Sequence, residues 1–286
     1  RPYSGKVVSG FPSRFFFLLR KECAMSGVLS CENFGFSFSD APILKGICFS
    51  MEKGTYLSII GPNGSGKSTL LKCFLRLHET GRSSGTLRIY GRNLESFSQR
   101  ELARLIAYVP QAGGRIPPFT VMEFLKLSRY PYASRQWALR AEDHEETAMA
   151  LALTGTGHLA GKRLDALSGG ERQRAYLAAA LVQGAEILLL DEPASFLDPR
   201  HAAELNALLK HLNRDRNLTV LTVTHDLNHP FDAGGQTLIL RHGEQLYFGP
   251  SERLTGRGVL EKAFDHTFAY LTHPKTGNML VFADQP

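Results

Sequence analysis

Nine consecutive residues, Gly61-Pro62-Asn63-Gly64-Ser65-Gly66-Lys67-Ser68-Thr69, have the composition and spacing of a phosphate cradle. Small residues let successive backbone N–H groups curve inward around phosphate oxygens with no Cβ in the way. In such a P-loop Lys67 is placed to reach the β- and γ-phosphates of a nucleotide, and Ser68 to reach a Mg²⁺ ion. A helix opening near Ser68 would add the positive end of its dipole to the same anion site. The loop alone indicates a nucleotide and leaves its use open.

Two further motifs narrow that use. Ile187-Leu188-Leu189-Leu190-Asp191-Glu192 reads as a buried strand that ends in two carboxylates. Behind a P-loop, Asp191 is placed to hold Mg²⁺ through water, and Glu192 to polarise an attacking water. Leu167-Ser168-Gly169-Gly170-Glu171 opens a helix with a hydroxyl and bare backbone amides. That is a second phosphate-binding helix N-terminus. One nucleotide does not need two cradles on one chain. The pair therefore implies a dimer, in which the Ser168–Gly170 cradle of one copy closes on the nucleotide held by the P-loop of the other.

The elements that must position these motifs follow from periodicity. Val28 to Ile60 shows short alternating apolar runs broken at Asp40-Ala41-Pro42 and Glu52-Lys53-Gly54, the pattern of antiparallel strands leading into the P-loop strand. Leu70, Leu71, Phe74 and Leu75 recur at helical spacing, with a stop expected at Gly81. Thr86–Tyr90 reads as a strand, Ser98–Leu105 as a helix and Ile106–Val109 as a strand ending at Pro110-Gln111. Residues 112–167 lose the strand pattern and read as a helical insertion, with a Thr120/Glu123 capping box and a helix over Glu142–Leu153. Glu142, Asp143, Glu145 and Glu146 are expected to form its solvated face. Beyond it the pattern predicts a helix over Glu171–Val182, the buried strand Ile187–Leu190, a helix over Pro199–Leu212, a strand over Leu218–Thr224 and a hairpin turning at His242-Gly243.

With these motifs in this order the chain resembles the nucleotide-binding subunits of ABC transporters over residues 26–286. Leu167 to Glu171 is identical to the family's LSGGE signature. The resemblance implies an α/β P-loop NTPase fold with a RecA-like core, an antiparallel β subdomain and a helical subdomain that contacts a membrane permease. It implies ATP and Mg²⁺ as ligands. It further implies that Gln111 senses the metal and couples to the permease, that Asp198 is the D-loop aspartate, that His225 contacts the γ-phosphate, and that Phe38 stacks on adenine. Two positions depart from the family: Phe38 stands where tyrosine is more frequent, which keeps the π-face, and Phe196 stands in the D-loop where alanine is usual. A narrower resemblance, carried by Arg129-Tyr130-Pro131, Leu167 to Arg172, Thr224 to Asn228 and His273-Pro274, is to bacterial importers of iron-siderophore, haem and cobalamin complexes. It implies a peripheral protein on the cytoplasmic face of the inner membrane, working with a permease and indirectly with a substrate-binding protein. ABC ATPases for another cargo, or for no transport at all, share the signature and remain open at this level.

Composition excludes several classes. The formal net charge is +6, but Arg1, Lys6, Arg14, Arg20 and Lys21 against Glu22 place four of those charges at the N-terminus. The remainder carries no basic footprint for nucleic acid. Residues 1–25 are read as a leader outside the fold, with a membrane-surface anchor as the alternative, since the apolar run Phe15–Leu19 is far too short to span a bilayer. Four cysteines without paired spacing fit a reduced compartment. His225 and His229 share a helical face, but Asp226 follows where a zinc protease motif has glutamate.

Overall fold

The computed structural model describes residues 27–284 except positions 40, 79, 112–113, 115, 133–140, 196 and 256–257. The expected leader and Phe196 lie outside the described residues. In chain order the elements are β1 (Leu29–Phe38), β2 (Ala41–Met51), β3 (Tyr56–Ile60), α1 (Lys67–Phe74), β4 (Arg82–Ile89), β5 (Arg92–Asn93), α2 (Gln99–Leu105) and β6 (Ile106–Val109). They continue with α3 (Val121–Leu127), α4 (Ala141–Leu153), α5 (Gly169–Gln183), β7 (Ile187–Asp191), α6 (Pro199–Arg216), β8 (Thr219–Val223) and α7 (His229–Ala233). The chain closes with β9 (Gln236–Arg241), β10 (Glu244–Pro250), α8 (Val259–Phe264), β11 (Phe268–Thr272) and β12 (Met279–Ala283).

Ten strands form one sheet in the order β5-β4-β1-β2-β10-β9-β3-β8-β7-β6. From β9 to β6 neighbouring strands run parallel. From β5 to β2 they run antiparallel, and β10 joins the two parts. Parallel strands gather their carboxyl ends on one edge, where α/β proteins bind ligands. Here that edge carries Gly61 after β3, Asp191 and Glu192 at the end of β7, Thr224 after β8 and Gln111 after β6.

The strand β7 shows why this edge is rigid. Ile187 and Leu189 pack with Leu70, Leu71 and Phe74 of α1, while Leu188 and Leu190 pack with Leu177 of α5 and Leu205 and Leu209 of α6. Alternate side chains thus enter two cores, as the unbroken aliphatic run requires. Each buried leucine contributes about 2 kcal/mol from area removed from water. The insertion has its own core of Val121, Leu125, Ala150, Leu151, Leu159 and Leu164 against Ala175, Ala178 and Val182 of α5.

Several boundaries shift for identifiable reasons. The helix α1 stops well before Gly81 because Arg76 turns left-handed (φ 52°), and Leu77 N–H closes on Lys72 O at 3.1 Å. The strand β4 starts early because main-chain pairing of Arg82–Ser84 with Gly35–Ser37 does not depend on side-chain pattern. On α4, Asp143 is a correction to the solvated acidic face: it is buried, with its carboxylate 2.6 Å from Arg129 Nε. Glu145 and Glu146 are exposed as expected, and the side chain of Glu142 lies outside the described residues.

Candidate functional site

The loop Gly61–Thr69 leaves the buried end of β3 and closes directly into α1. At Gly61 a Cβ would lie 2.0 Å from the Leu240 carbonyl oxygen, so no side chain fits there. Gly64 has open space around it, and its φ of 77° is the constraint that selects glycine. The N-cap of α1 is Gly66, with no side-chain cap and no acidic residue in the first turn. The first-turn amides are thus left for an anion. Ser65 Oγ is buried without a hydrogen-bond partner, an orphan that suits an oxygen-rich ligand. Lys67 Nζ donates to Gly61 O at 2.7 Å and Pro62 O at 2.9 Å, and burial lowers its pKa while the charges of Glu192 and Asp191 oppose that shift. A phosphate would supply the countercharge this ammonium lacks.

Ser68 Oγ donates to Asp191 Oδ1 at 2.8 Å, and Tyr108 OH donates to Asp191 Oδ2 at 3.4 Å. Burial pushes the Asp191 carboxyl above the usual carboxylate range; the Ser68 hydrogen bond offsets part of this and the Glu192 charge adds to it. A buried carboxylate beside a hydroxyl is a hard-oxygen pair suited to a divalent cation such as Mg²⁺. One residue on, Glu192 turns left-handed (φ 49°), a conformation a residue with a Cβ holds only when its surroundings impose it. Glu192 N–H is tied to Val223 O at 3.0 Å, so the turn is fixed to β8. Its carboxylate accepts from Gln111 Nε2 at 2.6 Å and Ser195 Oγ at 3.1 Å, and His225 Nε2 contacts Oε1. Three separate chain segments, around Gln111, Glu192–Ser195 and His225, therefore meet at one carboxylate.

The second cradle sits elsewhere on the chain. Ser168 caps α5 in a complete capping box with Glu171, and Gly184 ends the helix in the left-handed region at φ 71°. Ser168, Gly169, Gly170, Leu197, Asp198 and His201 line a cleft of about 560 Å³, and no P-loop residue lines it.

The family described as ABC transporter matches residues 44–195. The iron(3+)-hydroxamate import ATP-binding protein of Bacillus subtilis is 35% identical over 248 residues, covering 87% of this chain and 91% of that protein. The chain belongs to the ABC transporter ATP-binding family. The hemin import ATP-binding protein of Streptomyces coelicolor is 36% identical over 240 residues, covering 84% of each chain. The dimeric structure of a bacterial ABC transporter cassette superposes with a TM-score of 0.68 at 27% identity, covering 78% of this chain and 98% of that one. As an ABC cassette this chain is an ATPase, and its fold is the α/β P-loop architecture with the antiparallel and helical subdomains expected above.

The cassette brings Lys67, Ser68, Gln111, Asp191, Glu192 and His225 into one site, and Ser168–Gly170 with Asp198 into another. Phe38 is in neither set of contacts. It stands at the end of β1, 37% exposed, edge-on to Phe36 at 4.9 Å and to His78 at 5.1 Å. His78 Nε2 lies 3.3 Å from Thr69 O, which connects this aromatic group to α1. Two residues of the cassette escape a motif-based reading. Tyr108 is the one hydroxyl-bearing residue in Ile106–Val109, and that polar ring in an aliphatic strand was the available signal. His201 Nδ1 lies 2.5 Å from Asp198 Oδ2 while His201 N–H donates to Asp198 Oδ1 at 3.0 Å. The three-residue spacing of a helix cap was its signal.

Proposed function

We propose that this chain is the ATP-hydrolysing subunit of an importer for metal chelates of the ferric siderophore or haem type. Residues 26–286 act as one ATPase domain, with the helical insertion 112–167 turned toward a polytopic permease at the cytoplasmic face of the inner membrane. Two copies sandwich two ATP molecules, and a substrate-binding protein delivers cargo on the opposite side. The similarity to iron(3+)-hydroxamate and hemin import proteins supports the cargo class. The observation that carries the catalytic reading is the convergence of Gln111, Ser195 and His225 on the Glu192 carboxylate beside the Ser68–Asp191 pair.

In this reading the amides of Gly61–Thr69 and the Lys67 ammonium hold the phosphates. Ser68 and Asp191, with Gln111 close by, hold Mg²⁺, which when bound neutralises charge on the transferring phosphoryl group. Glu192 accepts a proton from the attacking water, and because its carboxylate and that of Asp191 have different partners the two acids keep separate tasks. His225 moves from Glu192 to the γ-phosphate when nucleotide is bound, and Ser168 to Gly170 of the second copy close the other side. Phe38 offers a π-face to adenine.

Glu192→Gln is expected to lower steady-state ATP hydrolysis by at least about a hundredfold. It should retain ATP binding and accumulate as an ATP-bound dimer in size-exclusion chromatography. Normal hydrolysis by this variant would remove Glu192 as the base. Uptake of a labelled ferric hydroxamate or haem into vesicles holding this chain with its permease tests the cargo; hydrolysis stimulated by a different solute class would replace it.

A further inference from the structure

The segment after His225 is tied to the C-terminal hairpin through the side chain of Asn228. Asn228 occupies the N-cap position of α7, where an asparagine ordinarily accepts a hydrogen bond from the first-turn amides. Here its side chain makes no cap hydrogen bond. Instead Val281 N–H donates to Asn228 Oδ1 at 2.6 Å, and Asn228 Nδ2 donates to Val281 O at 3.3 Å. The carboxamide thus pairs with the backbone of β12 as a neighbouring strand would, at the expense of its own helix. Val281 is buried in the same apolar cluster as Ile60, the last residue before the P-loop, and Leu227 packs against that cluster. The Asn228 backbone is itself fixed from the His225 side, since its N–H donates to Asp226 Oδ1 at 2.8 Å and Asp226 N–H donates to Thr224 Oγ1 at 3.1 Å. A continuous run of contacts leads from the Glu192–His225 contact through residues 224–228 to the hairpin β11–β12.

We propose that Asn228 is a positioning residue for hydrolysis, which by clamping Val281 makes the C-terminal hairpin the fixed support from which His225 reaches the γ-phosphate. The inference rests on the reading of His225 given above. The His225 side chain is 45% exposed, so packing around the ring does little to hold it. Its backbone therefore has to be held from behind, and the clamp does this without touching nucleotide. A displacement of about 1 Å in such a group costs on the order of a hundredfold in rate.

The test measures kcat and KM for ATP in the full chain carrying Asn228→Ala, Asn228→Asp or His225→Ala, together with thermal unfolding of each. Asn228→Ala is expected to lower kcat about tenfold or more with KM within about twofold, the signature of an interaction used in the transition state rather than in substrate binding. Asn228→Asp keeps the acceptor for the shorter bond to Val281 N–H and should recover part of the loss. It also keeps the test decisive if the alanine variant fails to fold. Unchanged kcat in Asn228→Ala while His225→Ala is impaired would overturn the positioning role alone. A rise in KM that accounts for the whole loss would also overturn it. Full activity of His225→Ala would remove the reading of His225, and the proposal with it.

Discussion

His229 lies four residues after His225, at the start of α7, and its imidazole is buried with Nε2 3.2 Å from Tyr56 OH, which in turn is 3.3 Å from Thr222 Oγ1. Burial pushes its pKa below the ordinary 6.5; the carboxylates of Asp226 and Asp232 oppose the shift and Lys210 assists it. The sign of the consequence follows from linkage. Between the depressed folded value and 6.5 the unfolded chain binds a proton that the folded chain refuses, so stability rises with pH across that window. The contribution is complete above 6.5 and is lost as pH falls below it. Thermal unfolding of the wild-type chain should therefore decline from pH 7 toward pH 5 more steeply than that of His229→Gln, which keeps a partner for Tyr56 but cannot be protonated there. Parallel curves would mean that another group dominates. The shared helical face expected from the i, i+4 spacing is corrected by the structure: α7 starts at His229, which is buried, while His225 lies on the preceding loop with its side chain exposed.

Arg129 performs at the level of elements what Asn228 performs at one residue. Its Nε donates to Asp143 Oδ1 of α4 at 2.6 Å, one terminal nitrogen donates to Val182 O near the end of α5 at 3.0 Å, and the guanidinium lies 4.3 Å from the centroid of the Tyr132 ring. The same turn is fixed from the sheet side, where Arg100 Nε and Arg104 Nε of α2 each donate to Pro131 O at 2.9 Å. One planar cation therefore binds α4 of the insertion to α5, and the turn that carries it is bound to the core. Arg129→Ala is expected to destabilise the chain by about 3 kcal/mol, because it removes the cation facing a buried carboxylate. Urea unfolding should show a lower midpoint at unchanged slope. Arg129→Lys should not restore stability, since an ammonium cannot bridge both acceptors and stack at once. Local signals were legible wherever one element supplied them. The capping box at Thr120, the hydroxyl that opens α5 at Ser168 and the two-faced strand β7 all follow from residues close together in the sequence. The burial of Asp143 was illegible because its partner lies 14 residues earlier and approaches from the turn after α3. The β11–β12 hairpin was missed because its exposed strands alternate weakly, and its docking depends on Asn228, 53 residues before Val281. The motif residues of the site could be read one by one, but their meeting at Glu192 is a property of the parallel sheet.

For the whole molecule the decisive fact is that the two cradles face different surroundings within one chain. The P-loop meets Asp191 and Glu192, while Ser168–Gly170 share a cleft with Asp198 and His201. If each ATP is enclosed by the P-loop of one copy and the signature of the other, defects in the two cradles must complement each other. Lys67→Ala removes the phosphate-binding ammonium. Gly170→Asp places a carboxylate in the first turn of α5, where it suits the helix dipole but repels a γ-phosphate. The nearest obstacle to a Cβ there is Leu197 Cδ2 at 3.3 Å, the end of a flexible side chain, so the fold accommodates it. In a Glu192→Gln background that prevents hydrolysis, each variant alone should stay monomeric with ATP in sedimentation velocity. A mixture of the two, one copy carrying a size tag, should form heterodimers, because one of the two sites then combines an intact P-loop with an intact signature. Because only heterodimers form, at equal concentrations those sites number at most about half of the wild-type total. A mixture that stays monomeric, or Lys67→Ala chains that dimerise alone with ATP, would show that the Ser168–Gly170 cradle serves its own chain and that nucleotide does not join two copies.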